Sequence, residues 1–352
     1  MEDRAEGTAR GAAGERDGMG ATCGAVGMRD GAAAERDAGV LDGGVPGPLM
    51  GANAASDTGA DAEREVVLLH GFGQSARTWD EVVALLGARG VAARVLDWPG
   101  FGARRGCRDA RAFSLEGMGS LLADEVRASA ARTGTAPVVV GYSMGGRVAL
   151  EALVRGLIVP SWRRGGERAS SGVTEGAPRP AGVVGLVLEG AGLGPADAAA
   201  RTTLARRNAA WAADVRERGV AAFMDDWARL PLFASQRALP PDVRARLAEG
   251  RAANDAEALA RSLEGAGAHR QADEARSLAA LAAAAEVGLP VLYVAGELDA
   301  KYAAVAARAA EAGCATRVVP GAGHSVHLER PAAFADAVVA LAWTKNRDLA
   351  GF

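Results

Sequence analysis

The stretch VVVGYSMGGRVALEAL, residues 138–153, joins an apolar run to a helical pattern through a serine flanked by glycines. The run of valines is typical of a strand buried in a parallel sheet. Residues 141–145 have the form G-x-S-x-G, and this form between a strand and a helix predicts a tight turn that presents Ser143 at the carboxyl edge of a sheet. The alternative is a serine that caps the helix of an ordinary loop.

Similar apolar runs recur along the chain, with helical patterns between them. They cover residues 66–69, 92–98, 136–142, 182–190, 289–296 and, more weakly, 315–321. Strands that alternate with helices indicate a mostly parallel sheet with helices on both faces. The predicted class is therefore α/β.

The composition of the chain predicts its division. Residues 1–62 are rich in glycine, alanine and charged residues, which predicts a disordered extension with at most a short strand near residue 40. Residues 63–192 and 287–352 are predicted to form the core. Residues 193–286 have almost only helical patterns, and we expect them to form the lid. Residues 161–182 are polar and rich in glycine, proline and serine, which predicts a surface loop.

Overall composition narrows the function classes. The 352 residues are 49% hydrophobic with a formal net charge of −3, which argues against nucleic acid or an anionic membrane as a partner. The acidic N-terminus is unlike a signal peptide, and no run of about 18 apolar residues occurs, so we expect a soluble cytoplasmic protein, monomeric or homo-oligomeric. The three cysteines are far apart and form no CxxC pair, so we expect neither a disulfide framework nor a zinc site.

Two loops late in the chain supply partners for a catalytic serine. Asp299 follows the predicted strand at 289–296, and His324 follows the last strand, which gives the chain order serine, acid, histidine. Glu297 is a rival acid and His327 a rival base. Asp299 could instead cap a helix, but its place deeper in the loop and its shorter side chain favour it as the residue that orients the histidine.

The segment LLHGFGQS contributes backbone donors. The N–H groups of Phe72 and Met144 are predicted to form an oxyanion hole beside the serine. Gly71 could alternatively serve only a tight turn. His70 is expected to be structural and to bond loop backbone.

Arg147 lies in the first turns of the helix after Ser143, where the helix dipole disfavours a cation. Two explanations are open from the residues alone. Arg147 pairs with Glu151 one turn later, or it binds a substrate anion beside the serine.

The segments GYSMGGRVAL, LVLEGAG, FMDDWARLPLFAS, AGELDAKY and GAGHSVHLERP together resemble the menaquinone-pathway α/β-hydrolase-fold lyases, the 2-succinyl-6-hydroxy-2,4-cyclohexadiene-1-carboxylate synthases. The resemblance runs from about Val66 to the C-terminus. It implies an enzyme without metal or organic cofactor that eliminates pyruvate from a small carboxylate substrate. In such an enzyme Ser143 is a base, activated by His324 and Asp299, and not an acylated nucleophile.

The resemblance also assigns binding residues. Arg147 and Arg251 match positions that bind substrate carboxylates, and Tyr142 and Trp227 match pocket positions. One family arginine falls on Leu204 in this chain, so that Arg201 or Arg206 is expected to replace it. Two other functions stay open, a serine hydrolase of esters or C–C bonds that forms an acyl-enzyme and a non-catalytic ligand receptor.

Overall fold

The computed structural model describes residues 28–30, 65–162 and 180–343. The strands are β1 (Met28–Asp30), β2 (Glu65–Leu69), β3 (Ala92–Leu96), β4 (Val138–Tyr142), β5 (Ile158–Pro160), β6 (Ala181–Val183), β7 (Gly185–Glu189), β8 (Val291–Gly296) and β9 (Ala315–Val319). The helices are α1 (Asp80–Gly87), α2 (Leu115–Thr133), α3 (Met144–Val154), α4 (Ala198–Arg229), α5 (Pro241–Ala252), α6 (Ala256–Gly265), α7 (Glu274–Glu286), α8 (Ala300–Glu311), α9 (Val326–Glu329) and α10 (Pro331–Trp343).

Seven strands form one sheet in the order β1-β3-β2-β4-β7-β8-β9, and β5 pairs with β6 separately. All neighbours in the large sheet are parallel except β1, which runs antiparallel to β3. Each predicted strand region contains a strand, and the region 182–190 divides into β6 and β7. The predicted α/β fold class is confirmed.

Side chains alternate between the two faces of the sheet, as the period of a strand requires. In β2, Val67 and Leu69 join the apolar cluster on one face, whereas Val66 and Leu68 join the cluster on the other. All four are fully buried. Helices cover both faces, so the strands read as continuous apolar runs.

The order of the strands decides where a site can form. From β2 the chain moves outward to β3, then returns to the other side of β2 as β4 and continues to β7, β8 and β9. The carboxyl ends of β2 and β4 therefore flank the point where the direction of winding changes, which is where open α/β sheets bind ligands. Phe72 follows β2 and Ser143 follows β4 at this point.

Residues 193–286, the predicted lid, contain α4 to α7 and two short 3₁₀ segments, Pro231–Ala238 and Ala268–Arg270. Helix α4 packs on α6 and α5, whereas α7 packs on α3, β8 and α8, as a crossover helix between two parallel strands does. The division into core and lid stays a prediction. Among the described residues, no helix combines the length and the apolar character needed to cross a membrane.

Several features differ from the sequence-based expectations. Strand β1 lies inside the segment predicted to be disordered, and its pairing with distant β3 has no local signal. Strand β6 begins inside the predicted loop 161–182, whose residues 163–179 lie outside the described part, as does the expected strand near residue 40. Cys107 is disulfide-bonded, which the cysteine spacing did not suggest. Cys314 is a free thiol whose pKa burial raises to about 12.

Candidate active site

Ser143 occupies the turn between β4 and α3 with φ 49° and ψ −106°. Within the described ranges it is the one non-glycine residue with a positive φ. A Cβ atom on Gly145 would overlap the carbonyl oxygen of Leu69, so only glycine lets α3 approach β2 this closely. The N–H of Ser143 donates to the carbonyl oxygen of Glu189 at 2.8 Å. The surrounding backbone thus holds a strained serine at the sheet edge, as a nucleophile elbow requires.

Three loops bring a hydroxyl, an imidazole and a carboxylate together. Nε2 of His324 lies 3.2 Å from Oγ of Ser143, and Nδ1 of His324 lies 2.8 Å from Oδ2 of Asp299. His324 and Asp299 are buried, whereas Ser143 is partly exposed. Because a carboxylate only accepts, it holds the imidazole with hydrogen on Nδ1 and a lone pair on Nε2. That lone pair faces the serine, so the arrangement can remove the hydroxyl proton.

The rival residues have other partners. Glu297 is exposed, and its carboxylate accepts the N–H of Gly321 at 2.8 Å. His327 bonds Glu189 at 2.9 Å through Nδ1, and both side chains are buried. Asp299 has both roles that the sequence left open, because its Oδ1 also accepts the first-turn N–H of α8 at 3.3 Å. The geometry therefore favours Asp299 and His324 over their rivals.

The two predicted oxyanion-hole amides flank the serine. Among the hydrogen bonds of the described residues, none is donated by the backbone N–H of Phe72 or Met144. Gly71 has a reason beyond turn geometry, because a Cβ there would lie 2.6 Å from the Tyr142 ring. Two amides without an internal acceptor can stabilise an oxyanion next to Ser143.

His70 is a structural residue with defined hydrogen positions. Its Nδ1 lies 2.8 Å from the carbonyl oxygen of Gly71, and its Nε2 accepts the N–H of Trp98 at 3.1 Å. Because a carbonyl cannot donate, Nδ1 carries the hydrogen and the ring is neutral. Burial lowers the pKa of His70, although nearby Asp97 opposes that effect.

The lowered pKa of His70 predicts how stability depends on pH. Below about pH 6.5 the unfolded chain protonates this histidine while the folded chain does not, so the free energy of unfolding falls. The slope from this one group is at most about 1.4 kcal/mol per pH unit until the pH reaches the folded-state pKa. Urea unfolding of wild type and His70→Gln at pH 7.5, 6.5 and 5.5 measures it. The stability advantage of wild type should shrink toward low pH, and a constant difference would contradict this expectation.

Arg147 does not form the ion pair with Glu151 that was one of its two explanations. Glu151 instead accepts Nε of Arg155 at 2.7 Å and the N–H of Ala272 at 2.8 Å. Within the described part of the chain, Arg147 has no hydrogen-bonded carboxylate. Burial, with a smaller contribution from the charge of Arg207, lowers the pKa of Arg147 to about 10, although Tyr302 opposes the shift. A cation held partly desolvated and uncompensated is suited to an incoming anion.

A small cavity lies beside Ser143. Its volume is about 20 Å³, and it is lined by Phe72, Gln74, Tyr142, Ser143, Trp227, Phe233 and Arg251. The ring of Trp227 lies 4.8 Å from that of Phe72 and 5.2 Å from that of Trp211. Burial lowers the pKa of Arg251, whose guanidinium carbon lies 5.6 Å from the Phe233 ring centre. The structure thus gathers three predicted binding residues, Tyr142, Trp227 and Arg251, around the serine.

Neither arginine suggested for the position of Leu204 lines the cavity. Nη1 of Arg201 donates to the carbonyl oxygens of His269 and Gln271 at 2.6 and 2.8 Å, which ties α4 to the loop before α7. Arg206 is on the exposed surface of α4. The structure therefore does not bring Arg201 and Arg206 together with Ser143.

Arg207, which no sequence pattern singled out, is exposed on α4 like Arg206, but it lies against the aromatic residues next to the cavity. Its guanidinium carbon lies 4.6 Å from the centre of the Trp211 ring, and Trp211 contacts Trp227 of the cavity wall. Its charge is close enough to lower the pKa of Arg147, and burial lowers its own pKa. The spacing of Arg207 and Trp211, four residues on one helix face, was the available signal.

Among the described residues, no cluster of three or more histidine, cysteine, aspartate or glutamate side chains could hold a metal ion.

Known proteins resemble this chain in sequence and in structure. The alpha/beta hydrolase family model matches residues 66–337. The 2-succinyl-6-hydroxy-2,4-cyclohexadiene-1-carboxylate synthase of Escherichia coli (strain SMS-3-5 / SECEC) is 31% identical over 76% of this chain and 89% of its own. The enzyme of the same name from Salmonella agona (strain SL483) is 30% identical over 78% of this chain and 91% of its own.

Solved structures show the same fold. MenH from S. aureus aligns with a TM-score of 0.66 at 22% identity, covering 80% of this chain and 94% of that protein. The esterase EaEST from Exiguobacterium antarcticum aligns with a TM-score of 0.57 at 17% identity, covering 80% and 93%. One architecture therefore carries proteins named for different reactions, and the choice between reactions depends on the site.

Proposed function

The chain belongs to the alpha/beta hydrolase family, in the branch of the 2-succinyl-6-hydroxy-2,4-cyclohexadiene-1-carboxylate synthases, and from this premise we propose that it is a lyase of menaquinone biosynthesis. Its substrate is 2-succinyl-5-enolpyruvyl-6-hydroxy-3-cyclohexene-1-carboxylate, from which it eliminates pyruvate. One observation carries the proposal: the hydrogen-bonded Ser143, His324 and Asp299 stand beside arginines without carboxylate partners in the described structure.

In the proposed reaction Ser143 acts as a base. The ring carbon that bears the succinyl ketone loses its proton to Oγ, whose own proton passes to Nε2 of His324. The electron pair forms an enolate, then moves through the ring double bond and breaks the bond between the ring and the enolpyruvyl oxygen. The ring becomes a 2,4-diene. The leaving enolpyruvyl oxygen takes up the proton that was removed from the ring. The enol form of pyruvate is released and then becomes the keto acid.

The elimination generates negative charge that the site has to stabilise. The enolate oxygen is proposed to accept hydrogen bonds from the N–H groups of Phe72 and Met144. Asp299 stabilises the imidazolium that forms when His324 takes the serine proton. No covalent bond between Ser143 and the substrate is needed.

The substrate carries three carboxylates, one each on the ring, the succinyl arm and the enolpyruvyl group. Arg251 lines the cavity with Ser143, whereas Arg147 and Arg207 lie within electrostatic reach of Tyr302, whose ring is 4.7 Å from that of His324. None of these three guanidinium groups forms an ion pair with a carboxylate of the described residues. Guanidinium groups bind carboxylates through two parallel hydrogen bonds. An ester hydrolase of simple substrates has no comparable need for three such cations.

The cavity beside Ser143 is too small for this substrate. Its volume of about 20 Å³ is far below the roughly 300 Å³ of small ligand pockets. We infer that α4 to α6 move away to admit substrate and close again over it. Closure excludes water, which strengthens the arginine–carboxylate contacts and protects the diene.

We expect Arg207→Ala to raise KM for the tricarboxylate substrate by about tenfold or more, since one ion-paired carboxylate contact is lost. Arg206→Ala is the matched control, because it removes an exposed arginine from the adjacent position of the same helix. Steady-state kinetics of pyruvate release measures both variants. Equal effects of the two substitutions, or an unchanged KM in Arg207→Ala, would exclude Arg207 from the binding site.

The competing reaction is hydrolysis through an acyl-enzyme on Ser143. Incubation with p-nitrophenyl acetate, followed by intact mass spectrometry, separates the two. The lyase proposal expects no more than slow release of p-nitrophenol and no accumulated acyl-serine. A rapid stoichiometric burst with acetyl on Ser143 would support the hydrolase. Recovery of the enolpyruvyl substrate unchanged after long incubation would support a receptor without catalysis.

A further inference from the structure

A buried chain of hydrogen bonds connects the predicted lid with the catalytic loops. Nη2 of Arg251 donates to Oε1 of Gln236 at 2.7 Å, and Nε2 of Gln236 donates to Oγ of Ser325 at 2.9 Å. Oγ of Ser325 lies 2.7 Å from the hydroxyl oxygen of Tyr142. Gln236, Ser325 and Tyr142 are 6%, 0% and 2% exposed, so water does not compete for these bonds. Ser325 directly follows His324, and Tyr142 directly precedes Ser143.

The direction of this chain is determined at its start. A guanidinium group can only donate, so the oxygen of the Gln236 amide faces Arg251 and its nitrogen faces Ser325. Ser325 Oγ therefore accepts from Gln236. If Tyr142 also donated to that oxygen, the hydrogen of the buried Ser325 hydroxyl would have no acceptor among its described contacts, which costs free energy. The favoured arrangement has Ser325 donating to Tyr142.

With its oxygen accepting from Ser325, Tyr142 keeps its own hydrogen for another acceptor. Tyr142 lines the cavity that also contains Ser143 and Arg251. We propose that Gln236 and Ser325 are positioning residues that direct the Tyr142 hydroxyl, through the chain from Arg251, to donate a hydrogen bond to a carboxylate or carbonyl oxygen of the substrate. This inference rests on the proposed function for the identity of that substrate.

The chain also links two parts of the proposed mechanism. Gln236 belongs to the 3₁₀ segment Pro231–Ala238 of the predicted lid, whereas Ser325 and Tyr142 belong to the core loops. The hydrogen bonds from Gln236 to Ser325 and from Arg251 to Gln236 exist together only while these elements are in contact. Tyr142 is therefore directed as a donor when the site is closed.

A double-mutant cycle tests the role of Ser325. We expect Ser325→Ala and Tyr142→Phe each to lower kcat/KM for pyruvate release by about tenfold, the effect of one lost hydrogen bond to a charged group. Because Ser325 acts through Tyr142, the double variant should be no slower than Tyr142→Phe alone. A double variant about a hundredfold slower than wild type, the product of the two effects, would overturn the proposal. Thermal unfolding shows whether each variant is folded.

The direction of the chain is tested at Gln236. Gln236→Glu can only accept in its ionised form, so Ser325 donates to it and Tyr142 donates to Ser325. Gln236→Glu should therefore lower kcat/KM more than Gln236→Leu. That excess should disappear when both substitutions are made together with Tyr142→Phe. An equal excess in both backgrounds would show only that the new carboxylate neutralises Arg251, and would overturn the directed chain. Arg237→Ala, an exposed neighbour, is the control expected to leave kcat/KM unchanged.

The same cycle measured on binding of succinate, by calorimetry, separates this inference from the proposed function. Absence of pyruvate release by wild type, with non-additive effects on succinate binding, would refute the lyase function and support the directed hydrogen-bond chain. Pyruvate release by wild type with additive effects in both assays would support the lyase and refute the chain. Absence of pyruvate release with additive succinate effects would refute both.

Discussion

Replacing Ser143 by alanine is expected to lower kcat for pyruvate release by about 10³-fold or more, because the substitution removes the proposed base. The hydroxyl oxygen is the atom that would receive the substrate proton, and His324 lies 3.2 Å away to accept the hydroxyl proton. KM should change little, since the arginines that bind the carboxylates are untouched. Initial rates under saturating substrate measure the effect.

The control for this expectation is that the effects of replacing Ser143 and His324 on kcat are not additive. His324→Ala should cause a loss of similar size, and the double variant should be no slower than the slower single variant, because the residues act as a unit. Near-normal turnover by Ser143→Ala would contradict the role of Ser143 as base. The surrounding backbone, and not the serine side chain, holds the turn at φ 49°, so Ser143→Ala should remain folded. Thermal unfolding checks this.

Arg147→Ala is expected to reduce transition-state stabilisation by about 2–5 kcal/mol, measured from kcat/KM, because a desolvated cation that pairs with a substrate carboxylate is lost. Arg147→Lys should recover only part of it, since an ammonium group does not provide two parallel hydrogen bonds in a fixed plane. The lowered pKa of about 10 adds a second readout. Substrate affinity should weaken as the pH rises through 10, because Arg147 then loses its charge.

Arg155→Ala is the matched control for Arg147. Arg155 directly follows the same helix as its C-cap and forms the ion pair with Glu151 that Arg147 does not form. Its loss should lower stability slightly, by about 0–1 kcal/mol for a partly exposed pair, and leave kcat/KM unchanged. If Arg147→Ala changes the melting temperature but not kcat/KM, the side chain has a structural role and the proposed carboxylate contact is wrong.

The sequence could predict that Ser143, His324 and Asp299 lie close together, because the strand topology largely determines where they are. The carboxyl ends of parallel strands share one edge of the sheet, so residues just after β4, β8 and β9 have to lie near one another. Ser143, Asp299 and His324 each occupy such a position. The glycines around the serine have a steric signature that is readable without coordinates, since a strand-to-helix turn this tight excludes Cβ atoms.

The binding residues were predicted less well, because their positions depend on side-chain choices between distant elements. Glu151 could accept either Arg147 or Arg155 at helical spacing, and in the structure it accepts Arg155 and the N–H of Ala272. On α4, the family arginine falls on Leu204, and Arg201 or Arg206 is the replacement that the sequence suggests. The helix phase places Arg207 over Trp211 instead. The pairing of β1 with β3 and the contact from Gln236 to Ser325 join distant segments, so no local pattern reveals them.

The most direct test of the account is to supply the purified protein with 2-succinyl-5-enolpyruvyl-6-hydroxy-3-cyclohexene-1-carboxylate. Pyruvate is followed with lactate dehydrogenase, the ring diene by its absorbance, and Ser143 by intact mass spectrometry. The account predicts one pyruvate and one diene for each substrate consumed, with no mass added to the protein. Absence of pyruvate, or a covalent adduct on Ser143 that turns over with the reaction, would contradict it.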